Sequence, residues 1–240
     1  MSRETILARL QADAKLFVQP LLPPTEYPWS TTPDAATRSM SKKTDRVTVG
    51  STSAAGSTSA ALLAAWERLG GTWERHDSMA AARLSLLLRL RTAGVREILS
   101  WSPNQLPVPG LQEAAADAGF TLAAVTRSGP PVGGVHSDLV IGLTGVDAAL
   151  AATGSLVLAP SPDRSWLPAL LPNKYVALVL ASQVYADLDA WRGDWEQTGR
   201  ADDLGRALVI TGPSTSADLE LHEQRGVFGP GEIHLILIQD

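Results

Sequence analysis

The architecture follows from residues 138–159, which read DLVIGLTGVDAALAATGSLVLA. This stretch places two short apolar runs, Asp138–Leu143 and Ser155–Ala159, on either side of turns rich in Gly and Thr. Two further continuous apolar runs follow it, at Val176–Ala181 and Ala207–Thr211, and a last strand is predicted at Ile233–Ile238, where His234 alternates with apolar residues. Such runs are typical of strands whose sheet is covered on both faces. We therefore predict a buried sheet in the second half of the chain.

The residues before this stretch alternate between strand and helix patterns. Strands are predicted at Thr72–His76, Glu97–Trp101 and Thr121–Val125, and helices at Ala60–Leu69, Met79–Thr92, Leu111–Ala118 and Val146–Ala152. Strands separated by helices indicate parallel crossover connections. The fold class is therefore α/β, with an open, mainly parallel sheet flanked by helices. Because the strands after residue 137 are crowded together, we expect that sheet to be mixed.

The composition excludes several classes of protein. The 240 residues contain no Cys, which removes disulfides, Fe–S ligation and a thiolate nucleophile from this chain. A net charge of −5 argues against nucleic-acid binding, which normally needs a basic face. The apolar runs, such as Tyr175–Ala181, are far shorter than the roughly 20 residues of a membrane span. No signal peptide is evident, so we expect a cytoplasmic protein.

The N-terminal region differs from the rest. Ile6, Leu7, Leu10, Ala14 and Phe17 follow helical spacing, and the Pro-rich segment Gln19–Asp34 then forms an extended connector. We place the domain boundary between an N-terminal helix with a Pro-rich arm at 1–40 and an α/β domain at 41–240. The arm could carry the helix onto a second copy and so support a homodimer.

Two corners of the predicted sheet are candidate ligand sites. Ligands of open α/β sheets bind beyond the carboxyl ends of strands, where loops lead into helices. The first corner contains Gly142, Thr144, Gly145, Thr153, Gly154 and Ser155, and the second contains Gly212, Pro213, Ser214 and Asp218. The Ser/Thr cluster after Gly212 predicts a helix start whose free amides would bind an anion. Tight turns and a capped helix start are the structural alternatives. We expect the two corners to converge into one polar hollow that binds a small anionic metabolite.

No catalytic residue can be named from the sequence. His76, His136, His222 and His234 lack metal-ligand spacing, so no metal site is predicted, and His234 is expected to be a sheet-face or core histidine. Neither a G-x-S-x-G elbow nor a G-x-G-x-x-G loop occurs.

Three blocks together resemble the LUD family, and within it the LutC type: Leu143–Leu158, Leu170–Val179 and Val209–Leu237. The resemblance implies a fold similar to that of CoA transferases, sugar-phosphate isomerases and formyltetrahydrofolate cyclo-ligases. It also implies a role as the subunit without an Fe–S cluster in a bacterial system that oxidises L-lactate to pyruvate. The implied partners are two Fe–S cluster proteins, and no cofactor is evident in this chain itself.

The sequence departs from the family pattern at four positions. Ala152 replaces the usual Glu, Thr215 the usual Arg, and Phe228 and Tyr175 the usual His residues. The lost residue types are suited to acid–base or anion-binding roles. Two alternatives to a lactate-oxidation subunit therefore stay open: a stand-alone small-molecule enzyme or binder of the CoA-transferase or cyclo-ligase type, and a regulatory binder without catalysis.

Overall fold

The computed structural model describes residues 53–125, 140–159, 161–198, 207–217, 223–226 and 228–240. All of them belong to the compact unit Val49–Asp240. The predicted N-terminal helix and Pro-rich arm lie outside the described residues.

The helices, in chain order, are α1 (Ser53–Arg68), α2 (Met79–Thr92), α3 (Leu111–Asp117), α4 (Leu167–Leu170) and α5 (Leu188–Gln197). The strands are β1 (Thr72–His76), β2 (Glu97–Ser100), β3 (Thr121–Ala124), β4 (Val140–Thr144), β5 (Ala148–Leu150), β6 (Ser155–Leu158), β7 (Lys174–Leu180), β8 (Val184–Tyr185), β9 (Leu208–Ile210), β10 (Thr215–Ala217), β11 (Glu223–Arg225) and β12 (Glu232–Ile238). None of the helices within the described ranges is long and apolar enough to cross a membrane.

The main sheet has six strands in the order β1-β12-β7-β4-β2-β3, and each of its described pairings is parallel. Five successive residues of β7 are buried, from Tyr175 to Val179. Because neighbouring residues of a strand face opposite sides, both faces of this strand are covered. The prediction of an α/β fold with a mainly parallel sheet is thus confirmed.

The antiparallel pairings lie outside the main sheet. A second sheet has the order β8-β5-β6-β9, in which β6 is antiparallel to both β5 and β9. Strands β10 and β11 form an antiparallel pair of their own. The expected mixture of strand directions is therefore divided between separate sheets.

Local sequence explains where α2 begins and ends. The Ser78 side chain caps its first turn by accepting a hydrogen bond from the Ala81 amide at 3.2 Å. Gly94, with φ +68°, then adopts the left-handed conformation that commonly follows a helix end. Ala82, Leu86 and Leu90 lie one helical turn apart and bury the face that packs on the sheet.

Three sequence predictions of local structure need correction. The helix predicted at Val146–Ala152 is instead strand β5, because pairing on both sides outweighs the helix propensity of its alanines. Helix α1 begins at Ser53, well before the predicted Ala60. No helix is predicted above over Asp187–Glu196, but Leu188–Gln197 form α5, which buries Trp191 and Trp195.

Candidate functional site

The order of strands in the main sheet contains a switch point between β2 and β4. These two strands are neighbours, but β2 leads outward to β3, whereas β4 leads in the opposite direction to β7. Ligands of open α/β sheets bind in the crevice that such a reversal leaves outside the carboxyl ends of the strands. The loops after Ser100 and Thr144 therefore mark the place to look for a site.

A cavity of about 240 Å³ lies at this place, and we call it the switch-point cleft. Its walls come from the loop after β2, the turn after β4, the turn after β7 and the bend before α4. The residues that line it are Trp101, Asn104, Gln105, Leu106, Pro107, Gly145, Val146, Asp147, Arg164 and Gln183.

Arg164 is the cationic group of the switch-point cleft. One terminal nitrogen of its guanidinium donates to Asp147 Oδ2, and its Cζ lies 4.3 Å from the centre of the Trp101 ring. The Arg164 side chain is 14% exposed and that of Asp147 is 7% exposed. The Nε of Arg164 is buried and has no hydrogen-bond partner among the described residues. The guanidinium is therefore fixed in place but keeps unused donors.

Backbone contacts hold the two partners of Arg164 rigidly. Asp147 Oδ2 also accepts from the Ala159 amide at 2.7 Å, and the Asp147 amide donates to the Val157 carbonyl at 2.8 Å. Trp101 Nε1 donates to the Ser165 carbonyl at 2.8 Å. Because these bonds come from both sheets and from the bend before α4, the position of the guanidinium is set by the fold.

Gln183 closes the side of the switch-point cleft next to β7. Its amide nitrogen donates to the Val146 carbonyl at 2.6 Å, while its amide oxygen accepts from the Leu180 amide at 3.0 Å. Both ends of this side chain are thus bound to backbone, and the wall it forms is well ordered.

The structure places the residues of the first predicted corner in different surroundings. Gly145 lines the switch-point cleft. Thr144 is buried beside it; its hydroxyl donates to the Gly145 carbonyl at 2.7 Å and lies 2.7 Å from the Tyr175 hydroxyl. Since Thr144 has one proton to donate, Tyr175 is the donor of the second bond. Gly142 faces the backbone of Pro168, and a Cβ there would lie 1.7 Å from the Pro168 oxygen.

The remaining residues of this corner meet the second corner at a different place. The hydroxyls of Thr153 and Ser155 are 2.7 Å apart, and those of Ser155 and Thr211 are 2.8 Å apart. Gly154 and Gly212 both pack against Leu69, which follows α1. Parts of the two predicted corners therefore converge, but among the described residues none from 153–155 or 211–214 lines the switch-point cleft.

The helix start predicted after Gly212 is wrong. Thr215–Ala217 form strand β10, paired with β11, and the Ser214 amide donates to the Pro230 carbonyl at 2.8 Å. An anion site built on free helix amides is therefore not formed at this turn. Pro213 is half-buried in the same turn, and Asp218 lies outside the described residues.

The four positions that depart from the family pattern lie in different surroundings. Ala152, Thr215 and Phe228 are exposed, and Phe228 is 82% exposed. Tyr175 is buried in the core, where burial raises the pKa of its hydroxyl well above the ordinary value despite the hydrogen bond with Thr144.

A second polar cluster lies between α2 and the strands β1 and β12 of the main sheet. Glu74 Oε1 accepts from Ser85 Oγ at 2.8 Å and lies 3.3 Å from His76 Nε2 and 3.8 Å from His234 Nε2. Burial alone would raise the pKa of Glu74, but the interactions with His234, Ser85 and His76 outweigh it and lower the pKa to about 2.

His234 sits within this second cluster as a buried histidine on a sheet face. Its side chain is 6% exposed, and its Nδ1 lies 2.7 Å from the Thr72 hydroxyl. No group of His, Asp and Glu residues in the described parts of the chain could hold a metal ion.

Sequence reasoning did not identify Trp101, Asp147, Arg164 and Gln183. These residues share no motif, and they come together only through the strand order. The signal that could have found them is their position: Trp101 follows β2 directly, and Asp147 and Gln183 follow β4 and β7 within three residues.

Comparison with known proteins finds similarity in the second half of the chain, which includes Asp147, Arg164 and Gln183 of the switch-point cleft. Residues 137–238 match the family model of the LUD domain. Lactate utilization protein C of Bacillus licheniformis is 32% identical over 102 residues, which is 42% of each chain. Its counterpart in Macrococcus caseolyticus is 29% identical over 154 residues, which cover 61% of this chain and 63% of that protein. The match thus spans less than two thirds of the length of these relatives.

A solved structure supports the fold. A DUF162 family protein from Deinococcus radiodurans superposes with a TM-score of 0.51 and 18% identity, over 77% of this chain and 98% of that chain. At this level of identity the likeness concerns the α/β architecture alone.

Proposed function

Because this chain belongs to the LUD family and is of the LutC type, we propose that it works in bacterial lactate utilization. Its role is that of a subunit without an Fe–S cluster, in a system that oxidises L-lactate to pyruvate. The chain acts there in substrate handling or in assembly of the complex. Electrons pass through Fe–S partner proteins, since this chain has no Cys to ligate a cluster.

One observation carries this proposal: the segment that matches the LUD domain supplies most walls of the switch-point cleft. Gly145, Asp147, Arg164 and Gln183 all lie within residues 137–238. The similarity to proteins named for lactate utilization therefore falls on the part of the chain where the fold favours a ligand site.

Reconstitution with partners tests the proposal. Two Fe–S cluster proteins of the kind proposed as its partners would be purified and mixed with L-lactate and an artificial electron acceptor, with and without the chain. We expect acceptor reduction and pyruvate only when all three are present, and none from the chain alone. Turnover by the isolated chain, or equal turnover when the chain is omitted, would refute the proposed role.

Two further expectations stay predictions. A homodimer would show as twice the 25.4 kDa chain mass in light scattering, and removal of residues 1–40 would return it to a monomer. Cytoplasmic location would show by fractionation of the native host.

A further inference from the structure

The switch-point cleft has the size of a small metabolite. Pockets for drug-sized ligands and cofactors measure about 300–1,000 Å³, whereas this cleft measures about 240 Å³. One water molecule occupies roughly 30 Å³ of liquid. The cleft therefore accommodates a ligand of a few heavy atoms together with some water, and it does not accommodate a nucleotide or coenzyme A.

The unused donors of the cleft suit a ligand that accepts hydrogen bonds. Among its lining residues, the side chains with formal charge are Asp147 and Arg164. Asp147 Oδ2 already accepts hydrogen bonds from the Ala159 amide and from Arg164. The Arg164 guanidinium has five N–H donors, and among the described residues its side-chain hydrogen bond goes to Asp147 alone. The guanidinium therefore keeps donors for which a ligand would supply the acceptor.

The geometry suits an acceptor with two oxygens. The Cζ of Arg164 lies over the Trp101 ring, 4.3 Å from its centre, and this contact helps to hold the guanidinium. A carboxylate pairs with a guanidinium edge through two parallel hydrogen bonds, and because phosphate pairs with it in the same way, phosphate is one of the probes used below. An arginine held this way is already in place before the ligand arrives, so little side-chain entropy is lost on binding.

We propose that the switch-point cleft binds a small organic carboxylate through Arg164, with Trp101 as the stacking surface and Asp147 as the residue that positions the guanidinium. The inference deepens the proposed function and rests on it for the choice of L-lactate and pyruvate as probes. Gly145 contributes by its size: a Cβ there would lie 3.3 Å from the Trp101 ring and 3.1 Å from Pro107.

Thermal unfolding of the isolated full-length chain tests this assignment. L-lactate, pyruvate, inorganic phosphate and acetyl coenzyme A would each be added at rising concentration. A ligand that binds only the folded state at 100 times its Kd raises the Tm by roughly 5–10 °C for a chain of this size. We expect that rise with L-lactate or pyruvate, and none with acetyl coenzyme A.

Three variants locate the binding site. Arg164→Gln should abolish the rise, and Arg192→Gln, which removes an exposed arginine paired with Glu196, should keep it. Because Arg164→Gln leaves Asp147 buried without its partner, that variant could unfold. Gln105→Trp is the second test of the site, because Gln105 is exposed at the rim of the cleft and a Trp there would narrow the opening while leaving Asp147 and Arg164 unchanged. This variant should also abolish the rise in Tm.

Each other outcome overturns the assignment. A rise with phosphate but with neither carboxylate means an inorganic anion site. A rise that persists in Arg164→Gln and Gln105→Trp means binding elsewhere on the chain. No rise with either carboxylate means that the cleft does not bind this class. The thermal experiment uses no partner protein, so it is independent of the reconstitution. Carboxylate binding can therefore be confirmed when the proposed role in lactate oxidation fails in reconstitution, and that role can be confirmed when carboxylate binding fails.

Discussion

Gly142→Ala tests whether this glycine serves packing or a ligand. Gly142 lies in the middle of β4, and its backbone faces α4, the short helix that precedes β7. A Cβ added there would lie 1.7 Å from the Pro168 oxygen and 2.8 Å from the Pro168 carbonyl carbon. Contacts that short do not occur, so either β4 or α4 must move by more than an ångström.

The expected cost is large because the collision involves main chain on both sides. Extra methyl groups in packed cores typically cost about 1–3 kcal/mol, and more when no side chain can rotate away. We expect about 3 kcal/mol for Gly142→Ala. A stability change of 1 kcal/mol shifts the Tm of a domain of 150–250 residues by about 2–4 °C, so the Tm should fall by roughly 6–12 °C.

Gly193→Ala is the matched control. Gly193 lies in α5 with no atom within 4 Å of an added Cβ. Replacing glycine by alanine inside a helix gains up to about 1 kcal/mol, so this variant should melt at the same temperature or a few degrees higher. Urea unfolding and calorimetry would measure both variants. A Gly142→Ala protein that melts within 2 °C of the parent would refute the packing argument.

The remaining predictions concern stability. The pKa of Glu74 is lowered to about 2 in the folded chain, so the unfolded state binds its proton more readily and stability falls as the pH drops from about 4.5 toward 2. That loss should amount to about 3 kcal/mol at most, and urea unfolding at stepped pH should show it to be absent in Glu74→Gln. Thr144→Val removes the acceptor of the buried Tyr175 hydroxyl and should lower the free energy of unfolding by about 2 kcal/mol, whereas Tyr175→Phe should lower it by only about 1 kcal/mol. A double-mutant cycle would measure the coupling between the two side chains. A larger loss of stability in Tyr175→Phe than in Thr144→Val would contradict the assignment of Tyr175 as the donor. Leu178→Ala in the centre of the sheet should cost about 2–5 kcal/mol, and Leu84→Ala, at a side chain 60% exposed, should change stability by less than about 0.5 kcal/mol in the same urea titration.

The sequence was most informative where burial acts on both faces of a strand. Val176–Ala181 is wholly apolar, and Ile233–Ile238 is apolar except for His234, so neither run has the polar face of an amphipathic helix, and both form interior strands of the main sheet. Helix ends were predictable for a similar local reason, since Gly70, Gly94 and Gly119 all have the positive φ that ends a helix readily.

Local reasoning failed where pairing between distant segments outweighs propensity. Thr215 follows a Gly-Pro turn and suits a helix cap, but a strand partner eight or more residues later draws it into β10. Helix α5 went unrecognised because its sequence is mostly polar. Its signals were Asp187 as an N-cap, which accepts from the Ala190 amide at 2.8 Å, and two tryptophans one turn apart.

The switch-point cleft was beyond prediction for a different reason. Arg164 lies in a short bend, where its backbone pairs with Ser161, and no periodic pattern governs such a bend. Its partner Asp147 precedes it by 17 residues, with β5 and β6 between them. Whether the two side chains meet depends on how the second sheet returns the chain to the carboxyl edge of β4, which follows from the topology and not from local sequence.

The positions at which this chain departs from the LUD pattern bear on whether its site is intact. Ala152 and Phe228 are exposed, and neither they nor Thr215 line the switch-point cleft. Tyr175 is in the core, where its hydroxyl supports Thr144 and through it the Gly145 carbonyl at the base of the cleft. Three of the four departures therefore lie at exposed positions outside the cleft, and the fourth supports the cleft from the core, so none of them removes Arg164, Asp147 or Trp101 from the cleft.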